Sequence, residues 1–103
     1  MVGLGKWKFF VDTMFYRGDA VLAVGEKNGK YDIEIKLTGI EVPDFSISDM
    51  KAEENTVTGN VQTSLLKGKD IPFSCTFDGD TANGFLKVPF MGKINLKDGK
   101  KIG

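Results

Sequence analysis

Residues 20–37 read AVLAVGEKNGKYDIEIKL. Ala20, Leu22 and Val24 alternate with their neighbours on one side of Asn28-Gly29. Tyr31, Ile33, Ile35 and Leu37 alternate on the other side with Asp32, Glu34 and Lys36. Period-two alternation puts one face of a strand in a core and the other in water. Asn-Gly between two such runs is the strongest short-range signal for a two-residue hairpin, because both turn positions need positive φ. The stretch therefore predicts two antiparallel strands with a common buried face.

The same rhythm extends in both directions. Trp7, Phe9 and Val11 share a face, as do Phe45 and Ile47, and Val57 and Val61. So do Ile71, Phe73, Cys75 and Phe77, then Leu86 and Val88, then Ile94 and Leu96. Gly18-Asp19, Gly39, Glu54-Asn55, Lys67-Gly68-Lys69, Asp78-Gly79-Asp80, Gly92 and Asp98-Gly99 punctuate these runs. Pieces of about eight to twelve residues are the spacing of an all-β sandwich or barrel. The segment Ile47 to Glu54 offers at most a single turn capped by Ser48, or a bulge where Met50 leaves the alternation. Short connections throughout favour a meander, and closure would remove exposed strand edges. The expected fold is all-β: one antiparallel up-and-down β-barrel of about eight strands, a single domain over residues 1–103.

Composition excludes more than it selects. Fourteen basic and fourteen acidic residues cancel, so no overall field draws the chain to nucleic acid or to a membrane surface, and neither is an expected partner. No apolar run approaches the ~20 residues of a membrane-spanning helix. The first ten residues place charges among the apolar positions, unlike a signal peptide. With its lone Cys75 the chain reads as cytoplasmic.

No histidine is present, which removes histidine-based triads, dyads and metal sites. Cys75 shares a face with Phe73 and Phe77, where a thiol is apolar filling with a raised pKa. Asp78 to Gly84, DGDTANG, lacks the ligand spacing of an EF-hand and reads as a tight turn. Leu65 to Asp70, LLKGKD, has no phosphate-loop frame. Glu53, Glu54, Asp32 and Glu34 fall on solvated faces or turns. No catalytic residue, metal or cofactor is expected, and the chain does not read as an enzyme.

Gly5-Lys6-Trp7 on the first strand, followed by hairpins, resembles the G-x-W opening of lipocalins and the wider calycin group. That resemblance implies a tryptophan packed across one end of a barrel, with a basic residue of the last strand over its ring. Lys97, Lys100 and Lys101 are the residues available for that contact. The chain departs from the group in lacking the T-D-Y segment and in offering lysine where the group has arginine. It also departs in its short length and in having no C-terminal helix.

An eight-stranded interior can be filled by side chains or hold one small ligand. Six inward aromatics, Trp7, Phe9, Tyr31, Phe45, Phe73 and Phe77, argue for filling; the G-x-W resemblance argues for a cup. The leading expectation is non-enzymatic binding of a small apolar ligand lined by Trp7, Phe9, Leu22, Ile35, Phe73 and Phe77, with Tyr31 as a polar handle. The alternative is a filled structural or interaction domain forming a homodimer through a rim of Met14, Phe15, Tyr16, Phe90 and Met91. A pocket of about 300 Å³ or more separates the two.

Overall fold

A computed structural model describes residues 2–13, 16–39, 41–42, 44–64, 67, 69–90 and 92–103. They form eight antiparallel strands in one sheet: β1 (Gly5–Asp12), β2 (Arg17–Lys27), β3 (Lys30–Leu37), β4 (Phe45–Glu53), β5 (Thr56–Thr63), β6 (Ile71–Asp78), β7 (Thr81–Val88) and β8 (Gly92–Lys101). The spatial order is β3-β2-β1-β8-β7-β6-β5-β4. Every ladder joins strands consecutive in sequence except β1–β8, which brings the two ends of the chain together. The Lys6 N–H donates to the Gly103 carbonyl at 3.2 Å, and the Ile102 N–H to the Lys6 carbonyl at 2.8 Å.

The expected all-β meander is present, but the sheet curls into a half-barrel, with β3 and β4 as its two edges. Both edges carry features that discourage pairing. Along β3, exposed Lys30, Asp32, Glu34 and Lys36 alternate with half-buried apolar residues. In β4 the register slips between Ser48 and Lys51, and Asp49 sits at φ 55°. That bulge, which the sequence offers as one reading of Met50, turns the Met50 side chain into the core against Val57, Cys75 and their neighbours. Charged edges and bulges are the usual means of blunting an open sheet.

The Asn28-Gly29 hairpin is as expected, with φ 53° and 78° and Lys27 paired to Lys30. Asp78 pairs with Thr81 around Gly79 at φ 60°. Two of the other expected breaks lie inside strands. Gly18-Asp19 belongs to β2; ahead of it the Thr13 N–H donates to the Tyr16 carbonyl (2.8 Å) and the Tyr16 N–H to the Thr13 hydroxyl (2.9 Å). At Gly18, φ 156°, a Cβ would lie 2.9 Å from the Tyr16 hydroxyl. Asp98-Gly99 is a bulge within β8, with Asp98 at φ 53° and register shifts against both β7 and β1. It bends β8 around Phe9, whose ring occupies the space a Gly99 side chain would take.

The core is buried toward the end of the half-barrel that carries the chain termini. Trp7, Phe9, Val24, Val57, Cys75, Phe77 and Ala82 form one cluster there. Residues toward the other end, such as Leu37, Ile47, Val61 and Ile94, are only half-buried.

Candidate functional site: an apolar cavity above an aromatic base

Residues 2–4 cross the base of the half-barrel. The Trp7 indole N–H donates to the Gly3 carbonyl at 2.8 Å, and the Tyr31 hydroxyl to the Val2 carbonyl at 2.8 Å. Gly3, at φ 80°, lies flush on the Phe77 ring, which leaves no room for a side chain. Trp7 in turn packs on Phe77 with ring centroids 4.8 Å apart. The large aromatics thus gather in a floor tied together by two hydrogen bonds to the N-terminal backbone.

Above that floor the inward positions are mostly aliphatic, and a cavity of about 330 Å³ remains. Its walls come from every strand: Phe9 and Val11 of β1, Ala20 and Leu22 of β2, Ile33 and Ile35 of β3, Ile47 of β4, Val57 and Val61 of β5, Phe73 and Cys75 of β6, Leu86 of β7, Ile94 and Leu96 of β8. Val42, between β3 and β4, also faces it. The lining is almost wholly carbon. The Tyr16 hydroxyl donates to the Asp19 carbonyl (2.8 Å), with the Thr38 carbonyl at 3.1 Å. Burial pushes the Cys75 thiol up to about 12, so it stays protonated and unreactive at neutral pH. Among the described residues no buried side-chain nitrogen or oxygen lacks a partner, and no cluster of His, Cys, Asp or Glu could hold a metal. The site presents an almost wholly apolar surface, with the Tyr16 and Tyr31 hydroxyls donating to backbone carbonyls.

Phe9, Leu22, Ile35, Phe73 and Phe77 line the cavity as the alternation predicts. Trp7 does not: it is 2% exposed and lies beneath, separated from the space by Phe77. Tyr31 lines the wall with its ring, but its hydroxyl proton is engaged by Val2, so it is no free polar handle. The expected lysine over the indole is also absent among the described residues. Lys97, Lys100 and Lys101 are exposed, and the Lys101 side chain runs against Gly5. Lys97 and Lys100 pair with Phe10 and Lys8 on the outer face, and Lys101, opposite Trp7, turns along Gly5 at the end of the strand instead of over the indole.

Of the expected rim, Met14, Phe15 and Met91 lie outside the described residues. Tyr16 is folded into its own turn, and Phe90 is 91% exposed. Sequence reasoning missed Val2 and Gly3, because a three-residue cap has no periodicity. It also missed Val42, an isolated apolar residue in a connection.

No family model, curated protein or solved structure matches the chain.

Proposed function

We propose that this half-barrel is a non-enzymatic carrier or sensor of a small apolar molecule, held in the manner of a lipocalin or calycin cup. The observation that carries the reading is the cavity itself: 330 Å³ of apolar space with its polar neighbours already bonded to backbone. Side chains that merely filled a core would pack to about three-quarters of the volume and leave few voids larger than a water. A space at the lower end of the range for ligand sites suits one small ring system or part of one acyl chain. Specificity would come chiefly from shape, since the lining is almost wholly carbon and the Tyr16 and Tyr31 hydroxyl protons are already donated to backbone carbonyls.

The test is saturable binding of an apolar fluorescent probe, displaced by a medium-chain fatty acid. A ligand at a hundred times its dissociation constant adds about 2.7 kcal/mol to the unfolding free energy, so the melting temperature must rise with it. Ala20→Phe places a ring into the cavity between Phe9 and Leu37, its partners on either side. It is expected to abolish probe binding while the far-UV circular dichroism stays that of a β protein. Probe binding that never saturates, or that survives Ala20→Phe, refutes the reading.

A further inference from the structure

The balance of fourteen cations against fourteen acids conceals an uneven distribution. Strands β1, β7 and β8, which adjoin in the sheet, carry seven lysines against two aspartates, and all seven lysines are exposed. Residues 81–97 hold three lysines and no acid.

At the β7–β8 connection this basic surface meets exposed aromatic carbon. Phe90 is 91% exposed and sits at φ 70°, a backbone region that a bulky side chain adopts only under strain. The Lys69 ammonium lies 4.5 Å from its ring centroid. On the outer face of β7, Phe85 is flanked by Lys93 at 4.6 Å and Lys87 at 6.0 Å. This end of the half-barrel is also the one toward which the cavity extends, past Leu37, Val42 and Ile94.

We infer that the β7–β8 hairpin docks on the surface of an anionic lipid bilayer, with Phe90 entering the headgroup layer and Lys69, Lys87 and Lys93 against lipid phosphates. Aromatic rings sit favourably at headgroup depth, and lysines near the surface are attracted by anionic lipid. Single-stranded nucleic acid is the less suitable partner. It needs open aromatic faces for base stacking, and a lysine ammonium already covers one face of both rings. The inference goes beyond the ligand reading and does not depend on it.

Co-flotation tests it directly, using vesicles of phosphatidylcholine alone and vesicles in which one lipid in three is phosphatidylglycerol. The protein is expected to float with the anionic vesicles only and to be released by salt. Phe90→Ser, which removes an exposed side chain and should leave the fold intact, is expected to weaken partition about tenfold. Since each surface lysine contributes about a fivefold gain, the Lys69→Gln/Lys93→Gln pair should lose roughly twenty-five-fold. Lys51→Gln, on the far edge strand β4, should change nothing. Ala20→Phe should still float, which separates this surface from the cavity. Absence of flotation, equal flotation with neutral vesicles, or an unaltered Phe90→Ser partition overturns the inference. So does binding to a single-stranded oligonucleotide in preference to anionic vesicles.

Discussion

Gly99 offers the sharpest check on how this half-barrel is held together. A Cβ built there would lie 2.4 Å from the Ala82 carbonyl oxygen and 2.4 Å from a ring carbon of Phe9. Neither neighbour can yield cheaply. One is backbone of β7, paired to Gly99 across the ladder; the other belongs to one of the most deeply buried side chains in the protein. Overpacking of this kind costs about 1–3 kcal/mol, and contact with backbone on one side puts Gly99→Ala near the upper end. For a domain of this size each kcal/mol shifts the melting temperature by roughly 4–8 °C, so about 3 kcal/mol predicts a fall of roughly 12–24 °C. The control is Gly79→Ala, at φ 60° with no atom within 4 Å, where only the left-handed backbone penalty of about 1–2 kcal/mol applies. Denaturant titration of Gly99→Ala, Phe9→Leu and the double variant then isolates the contact. Shrinking the ring should relieve part of the clash, so the double variant should be more stable than the sum of the singles implies by about 1 kcal/mol. Independent sites add within about 0.5 kcal/mol. An additive result, or a Gly99→Ala midpoint equal to the parent's, would show that the bulge does not seat Phe9 as described.

Trp7→Ala is expected to cost about 3–5 kcal/mol, since it removes both the ring on Phe77 and the donor to Gly3; a guanidinium midpoint close to the parent's would contradict that. Cys75 gives a pH signature. Its folded pKa is raised from 9.0 to about 12, so its contribution is intact below pH 9 and is lost progressively as pH rises between those values. Against Cys75→Ala, which lacks the group, the parent should lose about 1 kcal/mol more between pH 8 and pH 10; parallel stability curves would refute the assignment. The folded thiol should also resist a thiol reagent at neutral pH until denaturant is added, and rapid labelling in native buffer would refute its burial.

The strands were readable because a sheet with one buried face writes itself as alternation, and Trp7, Phe9, Ala20, Leu22, Val24, Phe73 and Phe77 all face inward as that pattern requires. What the pattern does not encode is whether a glycine bends a strand or ends it. Asp98-Gly99 has the same composition as a hairpin turn, and the Lys100-Lys101 that follows has no apolar alternation to mark it as a bulge. Nor does alternation report volume. Six inward aromatics argued for a filled interior, yet Trp7 and Phe77 spend theirs on each other at the base, beneath residues 2–4. Above it, Phe9 and Phe73 share the wall with smaller aliphatic residues such as Val11, Ala20 and Val61, and space remains between them. Charge failed as a guide for a related reason: a net value of zero is a sum over the surface, and it hides Lys69, Lys87 and Lys93 standing beside Phe85 and Phe90.

The strand order has a kinetic consequence. Seven ladders hold the sheet, and six of them are hairpins that close short loops. The β1–β8 ladder alone must bring residues such as Trp7 and Lys101 together, and it carries the largest loop-closure entropy in the fold. Searching for that one distant pairing is therefore the slow part of folding, since non-local contacts set the rate in small β proteins. Read from the other edge, the order is β4-β5-β6-β7-β8-β1-β2-β3, a meander interrupted only by the chain ends. Joining the ends through a short linker and opening the chain between β3 and β4 would turn every ladder into a neighbour pairing. Such a permutant keeps the same sheet and cavity but reaches them without the long-range search, and its refolding should be faster than the natural order allows.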